Sequence, residues 1–171
     1  MRVTPQEAIK ALQKQQYASV NFLHGEEPYY IDVITNYIVH HVLSDAEKAC
    51  NQLVVYGKDL DVGQLLTHAR RFPMGSEHQV VVVKEAQDLA DIHRDKGRKL
   101  LMAYMQSPQP ATLHDQANKH KTIDARSTMS KALHKHAVVV ASPRLYDNQV
   151  PQWIRTYVKE QQLPITEPAV A

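Results

Sequence analysis

Residues 80–83 are four consecutive valines standing between Gln79 and Lys84. Successive side chains of a strand point to opposite faces, so an unbroken β-branched run without polar alternation reads as a strand covered on both sides of its sheet. Such a strand needs helices above and below it. Just upstream, Phe72 and Met74 flank Pro73 and precede Gly75, placing two large apolar side chains where Pro and Gly break the chain. Phe72 either completes a helix stripe under the sheet or stands out with Met74 as a partner's anchor, and the pattern leaves both open.

Strand-like and helix-like segments alternate along the chain. Thr4-Pro5-Gln6-Glu7 is a capping box with Pro at the first helical position, followed by Ala8, Ile9 and Leu12. Residues 20–25 read as the first strand. Ile31, Ile34, Ile38 and Val42 then recur at about one helical turn. A second unit follows, with a strand at 53–57 and a helix striped by Val62, Leu65, Leu66 and Ala69. After the valine strand, a charged stretch at 88–98, either loop or helical start, leads to Leu100, Leu101, Tyr104 and Met105. Residues 111–118 stand where a fourth strand is due but are mostly polar, and read as edge-like or poorly formed. Met129, Ala132 and Leu133 mark the next helix, and residues 137–141 the fifth strand. Asp147-Asn148 caps a last helix with Val150, Trp153, Ile154, Tyr157 and Val158 on one face. Residues 163–171 read as a linker or cut end. Five strands joined by crossovers predict a three-layer, doubly wound, mainly parallel five-stranded α/β sheet.

At 171 residues and 43% hydrophobic content the chain can build one well-cored domain and is not disordered. Twenty Lys and Arg against 18 Asp and Glu give a net charge of +2, so attraction to nucleic acid would have to be local. A single cysteine, Cys50, excludes an intrachain disulfide framework and reads as a small core residue in a reducing, cytoplasmic setting. No run of 18 apolar residues suggests a membrane span.

Ligands of doubly wound sheets sit beyond the C-terminal strand ends. After the first strand, a phosphate loop would need Gly-x4-Gly-Lys-Ser/Thr; here Gly25, Glu26, Glu27 and Pro28 offer one glycine, two carboxylates and a residue without an N–H. After the valine strand, where a nucleoside triphosphatase would place a magnesium-binding acid, Lys84 precedes Glu85. These departures point away from nucleotide hydrolysis, and no catalytic residue or cofactor is assigned. The ten histidines form no His-x3-His or Cys-His set, so surface or capping roles are expected and no metal site is assigned. Lys119, Lys121, Arg126 and Lys131 form the densest basic segment, which suits DNA, an acidic partner or simply solvent.

Four pieces of the chain carry a family likeness. They are Phe22-Leu23-His24-Gly25-Glu26-Glu27-Pro28-Tyr29-Tyr30-Ile31, Arg71-Phe72-Pro73-Met74-Gly75-Ser76-Glu77 running into residues 79–87, Lys119-His120-Lys121-Thr122-Ile123-Asp124-Ala125-Arg126, and residues 145–154. In this order they resemble the N-terminal part of the bacterial DNA polymerase III delta subunits, the clamp-loader subunits that open the sliding clamp. The resemblance implies an AAA+-like first domain, residues 1–145, with a degenerate phosphate loop. Residues 146–171 would lead towards a missing helical lid domain. It further implies that Phe72, Pro73 and Met74 form a hydrophobic helix tip that enters a pocket of the clamp, the beta subunit. Other loader subunits would join through missing C-terminal domains, with primer-template DNA a further partner and no catalysis by this chain itself, although it serves a DNA polymerase holoenzyme. The alternatives are a nucleotide-binding AAA+ or P-loop-type enzyme and a direct DNA-binding module using residues 119–135. In the family the fourth strand is generally apolar, whereas His114, Asp115 and Gln116 interrupt it here.

Overall fold

The computed structural model describes residues 1–119, 127–144 and 146–160. Six strands are described, β1 (Arg2–Val3), β2 (Val20–Gly25), β3 (Gln52–Tyr56), β4 (Gln79–Lys84), β5 (Thr112–Lys119) and β6 (Val138–Ala141). They form one sheet in the order β1-β6-β2-β5-β4-β3, with every pairing parallel. The helices are α1 (Pro5–Gln13), α2 (Pro28–His41), α3 (Asp45–Asn51), α4 (Val62–Ala69), α5 (Asp95–Gln106), α6 (Thr128–His136) and α7 (Val150–Glu160). The expected α/β class and parallel winding are present, with six strands rather than five. The additional one, β1, is a two-residue edge strand paired with β6, too short to show any periodicity.

The valine run explains the layering. Val81 and Val83 pack with Val62, Leu65, Leu66 and Ala69 of α4 and Leu101, Tyr104 and Met105 of α5. Val80 and Val82 pack on the other face with Ile31, Ile34 and Ile38 of α2. All four valines are fully buried, and each such side chain contributes about 1.5–3 kcal/mol through burial. The charged stretch at 88–98 is largely a turn region, and α5 starts only at Asp95.

The polar fourth strand is not an edge. β5 lies between β2 and β4, paired along its length with both, and residues 112–118 are buried. Its alternation sends Leu113, Asp115 and Ala117 towards α2 and sets His114 against the Tyr104 ring of α5, with centroids 5.7 Å apart. Asp115 is tolerated because the Thr35 hydroxyl of α2 donates to its Oδ2 at 3.1 Å and because burial raises its carboxyl from 3.8 to about 7, the Thr35 bond pulling the other way. Burial lowers His114 from 6.5 to about 4. Both therefore sit neutral in the core at mildly acidic pH, which avoids most of the cost of burying a charge. His114 departs from the surface role expected of the histidines, and Cys50 is exposed rather than in the core.

At the end of β2, Gly25 adopts φ +147°, and a Cβ there would stand 1.9 Å from the Ser142 carbonyl oxygen. Gly25→Ala should therefore cost several kcal/mol, on the order of 3 or more, measured as a drop in denaturation midpoint; an unchanged midpoint would contradict this packing.

His114 and Asp115 make opposite pH demands on stability. Asp115, with its pKa raised on folding, contributes most below about pH 4 and loses that contribution as pH rises to 7. His114, with its pKa lowered, loses its contribution as pH falls from 6.5 towards 4. Between pH 4 and 6.5 the folded chain holds the aspartate proton while the unfolded chain holds the histidine proton, so the two slopes offset. Asp115→Asn should become steadily more stable relative to the parent as pH rises across this window, and His114→Leu steadily less so. Each slope should be on the order of 1 kcal/mol per pH unit. Urea denaturation at pH 4.5, 5.5 and 6.5 reads both, and parallel curves for parent and variants would contradict the assignment.

Candidate interaction tip and degenerate phosphate loop

The helix α4 begins at a capping box in which Asp61 accepts from the Gln64 N–H at 2.8 Å and Gln64 answers to the Asp61 N–H at 3.0 Å. It buries Val62, Leu65, Leu66 and Ala69 and ends at Arg70. Phe72, Pro73 and Met74 therefore lie in the loop beyond the helix, not on its last turn. Phe72 is 77% exposed and Met74 63% exposed, so Phe72 does not fold back under the sheet. Pro73 is half-buried between them.

The base of this loop is tied down. The Asn51 side chain, at the end of α3, accepts from the Met74 N–H at 2.6 Å and donates to the Met74 carbonyl at 3.0 Å. Buried Gln79, opening β4, donates to the His68 carbonyl at 2.8 Å, and the His78 ring meets Tyr17 edge-on at 5.3 Å. Neither Asn51 nor α3 was recognised from the sequence. A signal for the helix was present in Ser44 and Glu47, a capping box whose carboxylate accepts from the Ser44 N–H at 2.9 Å and hydroxyl at 2.6 Å. Hydrogen bonds from Ser44 and Ser76 hold that carboxyl down at about 2, so Glu47 is charged throughout the neutral range.

At the turn expected from the sequence to be a degenerate phosphate loop, Gly25, Glu26, Glu27 and Pro28 join β2 to α2. The Glu27 N–H donates to the Ser142 carbonyl at 3.2 Å. The Glu27 carboxylate accepts from the Tyr29 N–H at 3.0 Å, and Pro28 occupies the first helical position. The chain's own carboxylate thus sits at the helix start, where a phosphate would need free N–H donors and a positive field. Lys84 and Glu85 follow β4, with Glu85 left-handed at φ 53°. Beyond the ends of β2, β4 and β5 lies a cleft of about 260 Å³ lined by Phe22, Leu101, Met129 and the amides of Gln87, Gln116 and Asn118. Its described wall has one arginine, Arg98, which donates to the His93 carbonyl.

The structure does not bring the basic candidates together within the described residues. Lys131 is exposed on α6; Lys119 ends β5, where only its backbone is described, and Lys121 and Arg126 lie outside the described residues. Among the described residues, no group of three or more His, Cys, Asp or Glu is placed to hold a metal ion. Nor is any helix there long and apolar enough to cross a membrane.

On the other flank, α7 docks against the start of α2. The Trp153 indole N–H donates to the Tyr30 hydroxyl at 2.9 Å, and the Trp153 ring meets Tyr29 edge-on at 5.4 Å.

Comparison with known proteins agrees with this fold. A DNA polymerase III subunit delta of Bacillus subtilis is 27% identical over 160 residues, which is 91% of this chain and 46% of that protein. The solved DNA clamp loader delta protein of Bacillus subtilis superposes with a TM-score of 0.80 at 26% identity, over 97% of this chain and 50% of that one. A DNA polymerase III gamma subunit-related protein of Thermotoga maritima, at 12% identity and a TM-score of 0.56 over 90% of this chain and 49% of that one, shares the fold. The chain thus spans about half the length of these proteins. The profile of the DNA polymerase III delta subunit family matches residues 22–142, and the chain belongs to that family.

Proposed function

We propose that this chain is the clamp-contacting part of a clamp-loader delta subunit, binding the sliding clamp through Phe72, Pro73 and Met74 and helping to open the ring for loading on DNA. The observation that carries this is the pair of exposed apolar side chains, 77% and 63% accessible, on a loop whose base is held by part-buried hydrogen bonds to Asn51. An apolar pair displayed on a fixed loop loses little side-chain freedom on binding and gains the burial energy of two anchors. Seated in an apolar groove of the clamp, that energy would strain the neighbouring subunit interface and favour the open ring. Residues 1–145 form the clamp-binding domain in this scheme. Residues 146–171 lead towards a helical lid, and other loader subunits join through domains outside this chain.

No nucleotide chemistry is assigned to the chain. The Glu27 carboxylate at the start of α2 supports this, since it already takes the Tyr29 N–H that a phosphate would use. Calorimetric titration with ATP or GTP in the presence of Mg²⁺ should be flat at millimolar nucleotide, and a saturable heat would favour the nucleotide-binding alternative. The tip itself is tested by Phe72→Ala combined with Met74→Ala. Hot-spot anchors typically contribute about 2 kcal/mol or more each, so affinity for the sliding clamp of the same organism should fall at least about 100-fold with the melting temperature unchanged. Parent-like affinity in a folded double variant would refute the contact.

A further inference from the structure

Phe72 and Met74 would lower their exposure by collapsing onto the sheet, and Gly75, at φ +64° with open space around it, gives the loop freedom to do so. The short helix α3 opposes that collapse. Asn51 is 3% exposed, and its single amide satisfies both the N–H and the carbonyl of Met74, at 2.6 Å and 3.0 Å. One side chain thereby acts towards Met74 as a neighbouring strand would, fixing the peptide planes on both sides of it and hence the direction of the Met74 side chain. The Asn51 amide is itself oriented by a donation to the Glu47 carbonyl at 3.2 Å.

One turn back along α3, the Glu47 carboxylate closes the Ser44 capping box and is held in its charged form by the nearby Ser76 side chain as well as by Ser44. Ser76 Oγ in turn accepts from the His78 N–H at 3.3 Å. Residues 74 and 76, on either side of the flexible glycine, are both tied to the same helix. A buried amide with every tie made is costly to disrupt, so the projecting shape of the loop is built into the fold.

We propose that α3 is the platform of the tip, with Asn51 and Glu47 as positioning residues that hold Phe72 and Met74 in binding shape before a partner arrives, resting on the clamp contact proposed above. The ordering cost of the loop is then met on folding instead of on association. Neither residue touches the partner; each acts through Met74 or Ser76.

Two variants separate this role from general stability. Asn51→Ala removes the clasp on Met74, and Ser76→Ala removes the hydroxyl that meets Glu47 and accepts from the His78 N–H, while leaving the Ser44 capping box intact. Hydrogen exchange of the amides at residues 74–76 should accelerate about tenfold or more in Asn51→Ala and by a smaller factor in Ser76→Ala. Clamp affinity should fall about tenfold and about threefold respectively. Placed on a Phe72→Ala background, the same changes should cost less, because a mispositioned loop matters only while its anchor is present. Parent-like exchange at residues 74–76 in both variants overturns the platform role, as does an undiminished affinity loss on the Phe72→Ala background. If Phe72→Ala alone leaves affinity unchanged, it is the clamp contact that fails, and the exchange data alone then decide the platform. Should Asn51→Ala not fold, Ser76→Ala carries both readouts.

Discussion

The sheet depends on filling its central position with a strand that can be buried on both faces, and β5 does so with His114, Asp115 and Gln116 at its middle. Backbone pairing with β2 and β4 supplies the strand's hydrogen bonds. The side chains are accommodated by losing charge, His114 against the Tyr104 ring and Asp115 against the Thr35 hydroxyl. A fixed charge at either place would carry a desolvation penalty, which at Asp115 outweighs what the Thr35 bond returns. With β5 seated, the flanking valines of β4 are covered on both sides, and α4 and α2 have their opposing surfaces.

The apolar framework was legible because its signals are local. The valine run, the stripes of α2 and α4 and the Thr4 capping box each follow from a repeat or a dipeptide. β5 reads as edge-like or poorly formed because its polar residues imitate a solvent-facing strand, and the groups they pack against are 10 or more residues away in sequence: Tyr104 from α5 and Thr35 from α2. β1 is too short to show a period. The helix α3 was missed although Ser44 and Glu47 mark its start, since its seven residues hold no apolar stripe.

The candidate site divides in the same way. Phe72, Pro73 and Met74 stand out by composition, but whether they point inward or outward is decided by tertiary contacts. Asn51, 23 residues from Met74, is invisible to any pattern, because an asparagine at a helix end is ordinarily read as a cap or a turn residue. Gly25, Glu26, Glu27 and Pro28 stand out in the sequence only for the motif they lack, and at that turn the structure has a glutamate carboxylate at the helix start and a glycine wedged against Ser142.

The exposed tip is the feature on which the functional account turns, and Met74 offers a direct probe of it. Methyl-labelled methionine spectra of the chain, recorded while the sliding clamp of the same organism is added, follow Met74 beside the buried Met105, 1% exposed, as an internal control. The account predicts that the Met74 methyl signal shifts or broadens on binding while Met105 keeps its position. A clamp complex in which Met74 stays unchanged would contradict it.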